Sequence, residues 1–268
     1  MTTAAKPDSD LEDAARALAA SLGLAFLPRL PGTLPDMAQR FAVPTLLVVE
    51  RGRLRLVHAP SGVEYAYHPN MLPVRARSVA QGQPDLFVQA MALRPGDAVL
   101  DGTLGFGTEA SLAAWLVGEA GRVVGLESVP ALAAVTRAGM QSPPPSLTKA
   151  LIAAMRRVEV VTADHVPFLH ACPGGTFDQV YFDPFFDERL PGSEASVSPL
   201  ACFGNASPLS PEAVQEARRV ARRRVVVKAP KREALPPALA GGVSESITLR
   251  RSRMVYYVLL PRVSAPPP

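Results

Sequence analysis

From residue 86 onward, short apolar runs alternate with helix-forming segments, and few architectures accommodate that rhythm. Ala98–Asp101, Arg122–Glu127, Val158–Thr162, Asp178–Asp183 and Arg224–Lys228 read as strands. Helices are expected over 108–118, 129–139, 146–156 and 211–221. Ile247–Leu249 and Met254–Leu260, joined by Arg250–Arg253, read as an antiparallel finish. Repeated strand–helix alternation predicts an α/β fold with a doubly wound, mostly parallel, Rossmann-like sheet. Ligands of such sheets sit at the carboxyl ends of the strands.

The N-terminal part has a different texture. Residues 11–22, LEDAARALAASL, predict a helix with acidic residues in its first turn and Gly23 just past its end. Thr45–Glu50 and Arg53–His58 flank the break Arg51-Gly52 and predict a hairpin. Residues 59–85 contain Pro60, Gly62, Pro69, Pro73, Gly82 and Pro84, and read as connection rather than core. The expected organisation is a small α+β unit over 1–65, a connecting segment over 66–90, a main domain over 91–262 and a disordered tail over 263–268.

Composition narrows the classes. Hydrophobic residues make up 48% of the 268 and charged ones 19%, which allows a sizeable core and excludes a disordered or fibrous chain. No run of eighteen apolar residues occurs, so no transmembrane helix is expected. The opening MTTAAKPDSD lacks the apolar stretch of a secretory signal. The two cysteines, Cys172 and Cys202, cannot build a disulfide framework or a four-cysteine zinc site. These features predict a soluble cytoplasmic protein with neither metal nor membrane partner. The net charge of +4, from 28 basic and 24 acidic residues, permits an anionic partner without requiring one.

The strongest local signal is VLDGTLGFGTEA at 99–110. A buried strand ends at Asp101, Gly105 and Gly107 allow close backbone approach, and the next helix presents free amides. The absence of lysine excludes a P-loop. Gly105-x-Gly107-x-x-Ala110 also fits a dinucleotide fingerprint, so an NAD(P)-dependent oxidoreductase stays open at this point. Asp101 closing the strand gives D-x-x-x-G-x-G, a spacing that resembles the S-adenosylmethionine loop of class I methyltransferases. Glu127, twenty residues after Gly107, can accept both hydroxyls of a ribose in either class. Asp164 lies over the same crevice, as an adenine contact or as a helix N-cap.

A second signal is FDQVYFDPFF at 177–186, a strand running into Asp183-Pro184-Phe185-Phe186. Two aromatics after Asp-Pro either plug the sheet edge or serve a base. In the second reading, the Asp183 carboxylate and the Pro184 carbonyl accept the two N–H bonds of an exocyclic amine. Phe185 or Phe186 then stacks the extruded ring. The tetrad resembles the (D/N)-P-P-(F/Y) motif of amino-methyltransferases, with Phe185 in place of the second proline.

With both signals in place, residues 66–261 resemble the RsmJ-type methyltransferases. The resemblance rests on VLDGTLGFGTEA, GLES at 125–128, VVTADHV at 160–166, VYFDPFF at 180–186 and RRVVVKAP at 223–230. It implies a Rossmann-like class I fold with S-adenosylmethionine as cofactor. Its implied cofactor contacts are Thr108, Glu109, Glu127, Ser128, Asp164, His165 and Asp183, beside Asp101, Gly105 and Gly107 read from the loop itself. The implied catalytic residues are Asp183, Pro184, Phe185 and Phe186. The implied activity is methylation of guanine N2 in small-subunit rRNA, making RNA or a ribosomal subunit the partner. Where the family carries a basic, glycine-rich tract before the first motif, this chain has YHPNMLPVRARSVAQGQPD, a departure that marks a separate branch. A methyltransferase for another RNA, DNA or a protein amine shares the same chemistry, and a non-catalytic RNA-binding relative would keep only the basic residues. Lys228 reads as a phosphate contact, a cap or a solvated cation. The arginines at 218–224 read as a solvated face, and His165 and His170 as lacking any metal or triad partner.

Overall fold

Two sheets organise the chain, and the computed structural model describes residues 1–184, 199–231, 235, 237–240, 242–250 and 252–262. The N-terminal unit contains β1 (Thr2–Thr3), α1 (Ser9–Ser21), α2 (Leu34–Arg40), β2 (Thr45–Glu50), β3 (Arg53–His58) and β4 (Val63–Ala66). Asp8 caps α1 by accepting from the Leu11 amide, and Thr33 with Asp36 forms a capping box on α2. The strands form a sheet in the order β1-β2-β3-β4, with the expected hairpin closing at Glu50 opposite Arg53.

The remainder runs α3 (Leu72–Ala80), α4 (Leu86–Met91), β5 (Ala98–Asp101), α5 (Thr108–Val117), β6 (Arg122–Glu127), α6 (Pro130–Gln141) and α7 (Lys149–Arg157). It continues through β7 (Glu159–Thr162), α8 (His165–Ala171), β8 (Phe177–Phe182), α9 (Pro199–Phe203), α10 (Pro211–Val220), β9 (Ala221–Pro230), β10 (Val243–Ile247) and β11 (Met254–Leu259). These seven strands form one sheet in the order β10-β11-β9-β8-β5-β6-β7. Among them β11 alone runs against the rest, antiparallel to both β9 and β10. The fold is therefore mixed α/β with a doubly wound, mostly parallel sheet and an antiparallel C-terminal strand.

Both faces of this sheet are covered, which is why its central strands read as nearly unbroken apolar runs. Val99, Tyr181 and Val226 point into one core with Leu72, Phe87 and Leu112. Leu100, Phe182, Val225 and Val227 point into the other with Leu169, Val214 and Ala217. From β5 the chain winds outward to β6 and β7, then returns to add β8 on the other side of β5. That reversal opens a crevice over the carboxyl ends of β5 and β8.

Two sequence expectations need correction. Residues 59–85 are not merely connection, for they hold β4 and α3, and Leu72 and Ala76 are buried. Pro73 stands in the first turn of α3, where its missing N–H has no partner to lose. The strand expected at Ile247–Leu249 lies instead at Val243–Ile247, since a mostly polar strand at the sheet's edge leaves little apolar pattern to read. The tail at 263–268 lies outside the described residues. The N-terminal unit packs on α6 through β3, and Tyr65 stacks on Phe106 with ring centroids 4.4 Å apart. No helix among the described residues is long and apolar enough to cross a membrane.

Candidate active site

The crevice at the switch point is a cleft of about 190 Å³, lined by Gly102, Thr103, Gly105, Leu126, Glu127, Ser128, Ala163, His165, Asp183, Pro184, Gly204, Asn205 and Ser207. Its floor is the loop between β5 and α5. The Gly102 amide donates to Tyr181 O at 2.8 Å, and a Cβ at Gly102 would lie 2.3 Å from the Phe182 ring, so only glycine lets this backbone pass. Thr136 Oγ1 donates to Gly105 O at 2.8 Å and ties the loop to α6.

Glu127 ends β6 almost wholly buried, with Oε1 accepting from the Val129 amide at 2.9 Å. Burial pushes its carboxyl up, and the amides of Val129, Gly105 and Ser128 oppose that. Asp101 ends β5 fully buried and accepts from the Thr103 amide at 3.0 Å. Burial pushes its carboxyl up to about 8, and Glu109, Asp183 and Glu127 add to the shift. Asp183 follows β8, its backbone amide donating to Thr103 Oγ1 at 2.6 Å. Its Oδ2 accepts from Lys228 Nζ at 2.7 Å, while about a third of its side chain stays open to the cleft side. His165 packs edge-on to Phe182, and burial lowers its imidazole pKa.

Of the residues singled out from sequence, Gly105, Glu127, Ser128, His165, Asp183 and Pro184 meet around this cleft. Asp101 and Gly107 shape the loop from behind. Thr108 and Glu109 fall in the first turn of α5, away from the lining, and Glu109 is bonded to Arg75 at 2.8 Å. The Asp164 carboxylate caps α8 by accepting from the Val166 amide at 2.9 Å, which is its N-cap reading. Phe185 and Phe186 lie outside the described residues. Sequence reasoning missed Asn205 and Ser207, which carry no signal beyond turn-forming composition, and it left Lys228 without a partner. Among the described residues no group of three or more His, Cys, Asp or Glu side chains could hold a metal.

The family described as "Putative SAM-dependent methyltransferase" matches this chain over residues 37–258. The chain belongs to that family of S-adenosylmethionine-dependent methyltransferases. YpiP of Bacillus subtilis (strain 168) is 34% identical over 228 residues, covering 85% of this chain and 87% of YpiP. The SAM-dependent methyltransferase NGO1261 of Neisseria gonorrhoeae shares the fold, with a TM-score of 0.64 at 18% identity over 98% of this chain and 96% of that one. The cofactor of this methyltransferase is therefore S-adenosylmethionine, and the dinucleotide reading of the loop falls away. The site fits that cofactor. A buried, amide-held carboxylate at Glu127 suits a ribose diol, and Gly102 and Gly105 present backbone without side chains on the cleft wall.

Proposed function

We propose that this methyltransferase methylates an exocyclic amino group of a nucleobase, guanine N2 in small-subunit rRNA. The observation that carries the reading is Asp183-Pro184 on the wall of the same cleft as Glu127 and the glycine loop. Bound S-adenosylmethionine supplies an electrophilic methyl group on its sulfonium sulfur. The chain's own task is to present the nucleophile. An exocyclic amine is weak because its lone pair is conjugated with the ring. The Asp183 carboxylate accepts one N–H, the Pro184 carbonyl accepts the other, and the lone pair is turned toward the methyl group. Transfer of the methyl group would leave S-adenosylhomocysteine and a cationic nitrogen; the Asp183 carboxylate beside it would stabilise that charge until the proton passes to solvent. Phe185 or Phe186 is assigned to stacking the base.

An anionic substrate is supported by the sheet edge beyond Asp183. Lys231, following β9, and Arg250 and Arg253, in the turn between β10 and β11, are exposed on that edge. Asp183→Ala is expected to leave S-adenosylmethionine affinity within a few-fold while lowering turnover by at least about 10²-fold. Calorimetry and methyl-transfer kinetics check the two halves separately. Near-normal turnover in that variant would remove Asp183 from the chemistry and the amine reading with it.

A further inference from the structure

We infer that Lys228 is a positioning residue for methyl transfer. It holds one oxygen of the Asp183 carboxylate from behind the cleft and leaves the other free to accept from the substrate amine, a role that rests on the amine chemistry proposed above. Three observations carry it. Lys228 Nζ lies 2.7 Å from Asp183 Oδ2, and the Asp183 backbone is fixed by the Thr103 hydroxyl at 2.6 Å, so both ends of the residue are anchored. Asp183 lines the cleft and Lys228 does not. The parallel register that sets Phe182 beside Val227 makes Lys228 the next residue alongside Asp183.

Lys228 also lies on the opposite face of the sheet from Phe182. It alternates with Val227, which shares a core with Phe182, and keeps the face of Val226, which shares a core with Tyr181 and Phe87. Across the sheet its register partner is Tyr256 of β11. A lysine in that place does not occupy the amine's position, and it is held charged by Asp183 and Glu109 against the cost of burial.

The surroundings explain why a cation is needed. Asp183 is faced by Glu109 from α5, Asp101 from β5, Tyr181 from its own strand, Tyr256 from β11 and Arg75 from α3. Arg75 is already committed, pairing with Asp85 at 2.8 and 3.0 Å and with Glu109 at 2.8 Å. Burial pushes the Asp183 carboxyl up, and Lys228 is the chief opposing influence. Without Lys228 the carboxyl would be pushed further up, toward its protonated form. In that form it would meet the amine as a neutral acid.

Lys228→Gln, which keeps a donor without the charge, and Lys228→Met test this alongside Lys228→Arg. Two readouts are used. The first is the pH profile of kcat for methyl transfer to undermethylated RNA from a strain lacking the enzyme. The second is the titration of the Asp183 carboxyl by carbon-13 NMR, with its signal assigned through Asp183→Asn. The acid limb and the NMR midpoint should both rise by at least about one pH unit in the Gln and Met variants. S-adenosylmethionine affinity should stay within about threefold, activity should recover at alkaline pH, and Lys228→Arg should restore the wild-type limb. A midpoint that does not move in Lys228→Gln, or activity lost equally at every pH, would overturn the positioning role. Full turnover in Asp183→Ala would instead overturn the amine reading, so the two failures are distinct.

Discussion

Asp101 is a buried carboxyl at the foot of the glycine loop. With its carboxyl pushed up to about 8 by burial and by neighbouring acids, it carries a proton at neutral pH in the cofactor-free protein. A cation entering the cleft favours the ionised form. Affinity for S-adenosylmethionine, with its sulfonium charge, should therefore tighten between pH 6 and pH 9. Affinity for S-adenosylhomocysteine, which lacks that charge, should change much less. Paired calorimetric titrations check this, and parallel pH profiles for the two ligands would contradict it. The sign for stability follows from linkage. A carboxyl raised from 3.8 to about 8 contributes stability that is complete below about pH 4 and lost as pH rises through 8. Asp101→Asn, which keeps an acceptor for the Thr103 amide, should flatten that loss in a melting profile. At this scale the sequence disclosed where Asp101, Glu127 and Asp183 sit, because each closes a short apolar run that reads as a strand. Asp164 was ambiguous from sequence, since an N-cap and a cleft acid occupy the same place in the chain.

Among the elements, α5 and its preceding loop set the site's shape. Gly107 caps α5 with φ of +70°, and a Cβ there would lie 2.9 Å from Met140 Sδ and 3.4 Å from Thr136 Cγ2. Gly107→Ala therefore meets a backbone penalty of about 1–2 kcal/mol together with crowding against α6. A fall in Tm of roughly 2–8 °C and weaker S-adenosylmethionine binding are expected. An unchanged Tm would show that the loop relaxes freely, contrary to this packing. The inner strands were legible because burial on both faces leaves unbroken apolar runs. α3 was not, because Pro69 and Pro73 signal a break unless one sees that Pro73 falls in a first helical turn. β10 was misplaced because VSESI, mostly polar at the edge of the sheet, offers almost no pattern.

For the molecule as a whole, the N-terminal unit is a brace for the site. Tyr65 stacks on Phe106 within the glycine loop, and a Cβ at Gly139 of α6 would fall 1.9 Å from Tyr67 Cγ, so the two parts meet without a gap. On the far side α9 rests against β3 and β4, with Phe203 edge-on to His58 at 6.4 Å, just before Gly204, Asn205 and Ser207 enter the cleft. None of this could be read locally. Tyr67 with Gly139 and His58 with Phe203 are pairs distant in sequence, and the contact of Lys228 with Asp183 depends on a register between two strands. The account stands or falls on what receives the methyl group. The direct measurement is nucleoside mass spectrometry of RNA from a strain lacking the enzyme, after incubation of that RNA with purified protein and methyl-deuterated S-adenosylmethionine. The account predicts label in N2-methylguanosine of small-subunit rRNA, absent with Asp183→Ala. Label confined to ribose, to a ring carbon or to another base, or no label at all, would contradict it.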